Sequence, residues 1–270
     1  MTHTALFRFE WAAARRGRIV PWFAAGFALA AVGVALAGLS AGGVVRVQGF
    51  ARTSVSLLQL TLWTVPMLAL LLGAVQGAEC QELEFLAALP APRSRLVFGR
   101  WAAWTLALTA ALVTGFGAAG LVIGTLAGAA DALRYLALIG IAAALLAAGL
   151  ALGLWIGVAA RSRARAVGVA VAVWFALVIG ADLVGIALLA ALPARDATWG
   201  LTALLIANPV DAARALGLGL FGADVVAGPT GAALRRLLGG QGAVLLAAAL
   251  VTWIIVPLRL AGRRFARQDL

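Results

Sequence analysis

The stretch YLALIGIAAALLAAGLALGLWIGV, from Tyr135 to Val158, runs for 24 residues without a charged side chain or a proline. As a helix rising ~1.5 Å per residue it is ~36 Å long, more than the ~30 Å hydrocarbon core of a bilayer. Its apolar residues occupy every face instead of one stripe, so no side of it is built for water. Working outward, five further stretches are long and apolar enough to cross: Ile19–Leu39, Val55–Val75, Ala102–Ala127, Val167–Leu192 and Gly242–Leu260. The sequence therefore predicts an all-α integral membrane protein with six transmembrane helices.

Composition leads to the same class. Of 270 residues, 64% are hydrophobic and 11% charged, with a mean hydropathy of +1.06. Soluble domains carry roughly 25% charge and about 45–50% apolar residues, and a soluble fold of this length cannot hide so much apolar surface.

Residue counts then remove functions. All 21 basic residues are arginine, so a phosphate-binding loop ending in Gly-Lys-Ser/Thr is excluded. A single histidine, His3, rules out a two-histidine zinc motif and leaves one terminal partner for any nucleophile. Cys80 is the lone cysteine, which allows neither an internal disulfide nor a thiolate cluster. No histidine dyad or aspartate pair lies in the spans, so an intramembrane hydrolase is disfavoured. The sequence points to no catalytic residue, no metal site and no cofactor. The net charge of +11 reports topology in a membrane protein and not a nucleic-acid partner.

Arginines set the orientation. With the N-terminus inside, the inner segments hold 14 of them and the outer segments 7. Four of those seven lie in one long outer segment, 193–241. The expected location is the bacterial inner membrane, multi-pass, with both termini cytoplasmic. The first span is longer than the ~7–15-residue apolar core of a cleaved leader and reads as a retained anchor. Residues 1–18 form a first unit, an amphipathic helix with Leu6, Phe9 and Ala13 at helical spacing and Arg8, Arg15 and Arg16 largely on other faces. Residues 19–270 form a single membrane domain.

Four segments are candidates for function. The inner loop 77–100 contains Glu79-Cys80-Gln81-Glu82-Leu83-Glu84-Phe85-Leu86 and then Pro90. Acidic residues suit the start of a helix and proline its stop, which predicts a short loop helix with an acidic lip and an apolar face. Arg93, Arg95 and Arg100 then return to the headgroup layer. That face reads either as a docking surface or as a helix packed on its own bundle. Asp182 is the only ionisable residue well inside a span, about 15 residues or ~22 Å from its inner end, in the outer leaflet. Structural pairing and a substrate or proton role both stay open for it, and no arginine lies within the spans to neutralise it. Two rows, Gly149, Gly153, Gly157 and Gly120, Gly124, Gly128, put glycines on one helix face for close packing against another helix or a second subunit. The outer segment predicts short interfacial helices interrupted at Asn208-Pro209, with Asp211 accepting from first-turn amides or pairing with Arg214.

In this order these pieces resemble the permease subunits of type-2 ABC transporters, particularly the NosY-like branch. The resemblance is carried by Arg8-Phe9-Glu10 with Arg16 and Arg18, and by Glu79, Leu83-Glu84-Phe85-Leu86, Pro90, Arg93 and Gly99-Arg100. It continues with Val173-Trp174-Phe175 and Asp182-Leu183, then Asn208-Pro209-Val210-Asp211 and Arg214. The chain departs from the family where a usual Gly-Thr pair is replaced by Gln81-Glu82. The resemblance implies a non-catalytic six-helix permease, an exporter, that forms a homodimer in the lipid bilayer. It implies a cytoplasmic ABC ATPase partner docked on Arg8, Glu10, Glu79, Glu82, Glu84, Phe85, Leu86 and Arg93, and a periplasmic accessory partner. One system within the branch serves maturation of a copper–sulfide centre, and many members of the branch lie outside it; here His3, Cys80, Met1 and Met67 are the only soft donors, too few for a copper path. Two alternatives remain at this level, an ATP-independent secondary transporter using Asp182 and a membrane scaffold.

Overall fold

In the computed structural model, residues 3–40, 46–82, 93–124, 129–160, 162–221 and 241–267 are described, and among them there are helices and turns but no strand. Nine helices follow one another among these residues: α1 (His3–Arg16), α2 (Ile19–Ser40), α3 (Arg46–Glu82), α4 (Arg93–Gly124), α5 (Ala129–Ala159), α6 (Arg163–Ala191), α7 (Ala194–Ala207), α8 (Pro209–Leu220) and α9 (Gly242–Ala266). Six of them, α2 to α6 and α9, are long and apolar enough to cross a membrane. The architecture is the all-α, six-span one that the apolar runs predict.

Helix boundaries extend beyond the apolar runs. α3 continues to Glu82 and α4 begins at Arg93, so both stems flanking residues 83–92 outlast the expected span ends at Val75 and Ala102. No proline interrupts 67–82, and Ala, Glu, Gln and Leu sustain a helix past the apolar boundary. Glu79 and Glu82 consequently end α3 instead of opening a separate loop helix. Residues 83–92, including Glu84, Phe85 and Leu86, lie outside the described residues.

α3 and α5 form the centre. Hydroxyls inside α3 satisfy themselves locally, Thr61 Oγ1 donating to the Leu57 carbonyl at 2.7 Å and Thr64 Oγ1 to Leu60 at 2.8 Å, as expected where water is absent. Gly149, Gly153 and Gly157 of α5 lie directly on Ala69, Gly73 and Gly77 of α3. A Cβ on Gly153 would stand 2.5 Å from the Leu70 carbonyl oxygen, and one on Gly73 2.7 Å from the Leu150 oxygen. Lipid offers no hydrophobic drive between helices, so such backbone-to-backbone approach supplies the contact energy. In this chain the glycine row thus serves an internal seam. Gly120 sits under the Tyr135 ring, whose hydroxyl donates to the Phe116 carbonyl at 2.7 Å, and Gly124 ends α4.

Around this seam, α2 leans on α4 through Phe27 against Phe116 at 5.3 Å. α6 lies along α3, and α8 is inserted against α3, α5 and α9. α6 buries only small or slender side chains, Ala166, Ala170, Val178, Ala181 and Gly185, while Leu183, Val184 and Ile186 face outward. In a bilayer that outer face meets lipid or a second copy.

Candidate functional site

Polar side chains gather at the two ends of the bundle. At the loop end, next to residues 83–92, Arg100 of α4 is buried with Glu10 of α1. Its Nε donates to Glu10 Oε1 at 3.0 Å, its second terminal nitrogen lies 2.9 Å from the same oxygen, and Nη1 donates to the Gln76 carbonyl of α3 at 2.9 Å. The Arg100 side chain is therefore turned into the protein, where Glu10 and Gln76 take its donors. The face of α1 turned to the bundle carries Glu10 and Ala14, one turn apart, whereas Ala13, Arg8 and Arg16 are exposed. Glu79, near the α3 C-terminus where the helix dipole disfavours an acid, lies 3.5 Å from Arg163 at the start of α6. Ser162 caps that start by accepting from the Arg165 N–H. Glu82 and Arg93 are the helical residues bordering 83–92.

At the opposite end α7 and α8 make a bent pair, turning by 108° at Asn208. The sequence dictates the break. Pro209 has no N–H to continue α7 but suits the first position of a new helix, and Asn208 caps α8 by accepting from the Val210 N–H at 2.9 Å. Asn208 also spends both amide hydrogens, on Asp211 Oδ2 and on the Leu177 carbonyl, each at 2.7 Å.

The second of these bonds has a local cause. Residues Ala176–Gly180 of α6 form a π turn, in which the Ala181 N–H reaches back to Ala176 instead of Leu177. A π turn leaves a carbonyl without its helical donor, and Asn208 supplies the missing one. One turn on, Asp182 takes both terminal nitrogens of Arg214, at 2.5 and 3.5 Å, and Arg214 also lies 2.9 Å from Asp211. Arg214 is thus shared between a buried carboxylate, Asp211 at 7% exposure, and a half-exposed one, Asp182 at 50%. Trp253 of α9 adds a bond from Nε1 to the Ile206 carbonyl at 3.4 Å, holding the α7 side of the bend.

The structure brings Asp182, Asn208, Pro209, Asp211 and Arg214 together, from separate parts of the chain, and keeps them apart from Glu10, Glu79 and Arg100. Asn208, and not Asp211, caps the first-turn amides. Three features escaped the sequence reading: the Asp182–Arg214 pair, the π turn, and the Glu10–Arg100 pair. The first had a signal, since an acid well inside a span, with no arginine at a similar depth in the six apolar runs, calls for a cation from a segment that folds back. Nothing in the cluster pairs a nucleophile with a base, and no group of three or more His, Cys, Asp or Glu side chains among the described residues is placed to hold a metal. Its chemistry is ionic latching of a broken helix pair to a neighbouring span.

Fold and sites define a multi-pass membrane protein with a broken helix pair latched at one end and a charged clamp at the other. Residues 4–270 match the family described as "ABC-2 family transporter protein". The chain is also 32% identical over 209 residues to the "Probable ABC transporter permease protein NosY" of Pseudomonas aeruginosa, covering 75% of this chain and 76% of that protein. The chain belongs to the ABC-2 transporter family, as a permease-type subunit of the NosY-like branch.

Proposed function

We propose that the protein is the non-catalytic membrane subunit of an ABC exporter, in which a separate cytoplasmic ATPase works on the loop between α3 and α4. The observation that carries this reading is the family match over 4–270, because it takes in the loop-end clamp and the latched helix pair together. The absence of lysine, and with it of a Walker loop, in these 270 residues supports ATP binding by another subunit. The arginine asymmetry supports placing the loop end and both termini in the cytoplasm of a bacterial inner membrane, and α7–α8 on the outer side. There the latch would control either an exit for substrate or contact with a periplasmic accessory partner. The outward apolar face of α6 suits a homodimer, and the resemblance to the NosY-like branch implies copper–sulfide centre maturation as one setting for the system.

Tagged purification from native membranes in mild detergent tests the proposal. A soluble ATP-binding protein at one-to-one stoichiometry is the expected companion, joined by any outer partner. A stable oligomer with no nucleotide-binding companion, under conditions that preserve other ABC complexes, would refute it and favour a secondary transporter centred on Asp182.

A further inference from the structure

We infer that Arg100 is the positioning residue that joins α1 and the two stems of the ATPase-facing loop into one mechanical unit, an inference that rests on the proposed coupling role of that loop. The geometry is specific. Gln76 stands six residues before the end of α3 and Arg100 seven residues after the start of α4, so the arginine bridges the throat of the hairpin that carries residues 83–92. From that one position its guanidinium bonds the α3 backbone at Gln76 and the α1 carboxylate at Glu10, with the charged pair 7% and 6% exposed.

Stability alone is a poor reason for such a pair. Desolvating both charges costs about as much as their attraction returns, and apolar replacements of similar volume are often as stable. A rigid planar fork, however, fixes direction on several partners at once, which a packed methionine does not. A push on residues 83–92 enters α3 and α4 through stems that Arg100 holds at a set separation. The same push reaches α1 through Glu10. α1 then moves with the loop instead of being a separate membrane-surface helix. The exposed Arg8, Arg16 and Ala13 on its other face become part of the surface presented to the ATPase.

The test uses the permease co-purified with its ATPase in lipid nanodiscs, comparing wild type with Arg100→Met, Glu10→Gln and Arg100→Lys. The readouts are the ATPase rate relative to the ATPase subunit alone and hydrogen exchange of the α1 amides. Arg100→Met and Glu10→Gln should assemble at one-to-one, lose at least half of the permease-dependent change in ATPase rate, and exchange faster in α1. Arg100→Lys, which reaches one partner at a time, should fall between them and wild type. If Arg100→Met fails to fold, the isosteric Glu10→Gln decides the matter. Variants that assemble and keep both the wild-type ATPase change and the wild-type α1 exchange would overturn the inference. A wild-type permease that captures no ATPase would instead refute the coupling role itself.

Discussion

Replacing Gly153 by alanine isolates the α3–α5 seam with a single methyl group. The added Cβ would stand 2.5 Å from the Leu70 carbonyl oxygen and 3.0 Å from both the Gly73 Cα and the Ala74 nitrogen. Ordinary contact begins at 3.4 Å, so α5 must back away from α3 by about 0.5–0.9 Å at that turn. All three crowding atoms are backbone, so no rotamer change can relieve them. Overpacking of this kind costs about 1–3 kcal/mol. The separation would also loosen Gly149 on Ala69 and Gly157 on Gly77, since the three glycines share one face.

A control lies in the same helix. Gly140 meets nothing within 4 Å, and a glycine-to-alanine change in a helix interior is favourable by about 0.5–1 kcal/mol when space allows. Thermal unfolding of the purified protein in one detergent should therefore place Gly153→Ala several degrees below wild type and Gly140→Ala at or above it. Equal melting of the two variants would refute the argument. So would a Gly153→Ala protein that changes only its oligomeric state, because the glycine row would then be a subunit contact and not an internal seam.

The latch gives an asymmetric prediction. Arg214→Met strands the buried Asp211 and should cost about 3–5 kcal/mol, whereas Asp182→Asn removes a half-exposed partner and should cost under ~1 kcal/mol in the same denaturation assay; equal losses would contradict the sharing described. Asn208→Ala removes the α8 cap and the donor to Leu177 together, for about 1–3 kcal/mol, and should raise amide exchange through residues 176–182 before any global unfolding. Glu79→Gln breaks a solvent-accessible 3.5 Å pair and should leave the melting temperature within error of wild type. In a Cys80→Ala background, a membrane-impermeant maleimide added to intact cells should label Asp196→Cys and spare Arg267→Cys; the reverse pattern would invert the proposed orientation.

How legible these features were depended on how local their causes are. Six spans could be read because a bilayer demands ~20 apolar residues in succession, a one-dimensional property. The break at Asn208-Pro209 was equally local, a cap followed by a residue that cannot continue the preceding helix. The Asp211–Arg214 pair, three residues apart, could be read; what the sequence hid were the pairing partners distant in the chain. Glu10 and Arg100 stand 90 residues apart, and Glu10 sits in an amphipathic helix whose charge invited an outward reading. Packing α1 on α4 turned that carboxylate inward because an arginine was waiting. Arg214 looked like an outer-loop charge until α8 inserted into the bundle and carried it to Asp182. The stems of α3 and α4 went unread for a different reason: hydropathy ends where the lipid ends, but helix propensity does not. Gly73 and Gly77 show the same four-residue spacing as the α5 row, yet glycine spacing identifies a packing face without naming its counterpart.

The contrast between the two neighbours of α3 bears on how such a protein can move. Against α5, α3 is locked by backbone atoms in contact, an interface with little room to slide. Against α6 it meets Ala166 and Ala170, with Trp174 Nε1 bonded to the Trp63 carbonyl at 3.3 Å and Arg163 on Glu79 at the loop end. α6 is thus tied to α3 by side chains, through the apolar cluster of Leu70 and Ala74 with Ala166 and Ala170, the edge-on Trp63–Trp174 pair and one exposed ion pair, and to α8 by the Asp182–Arg214 and Leu177–Asn208 contacts. Between these ties lies the π turn, where the α6 ladder is already out of register and its carbonyl is held by another element. Relative motion is cheaper where side chains, and not backbone atoms, meet and at an existing break in a helix. Displacement of the α3 stem would accordingly leave the α3–α5 seam intact and appear as movement of α6. Because α6 grips the broken helix pair directly, such a movement would be carried to that pair while the α3–α5 seam stays packed.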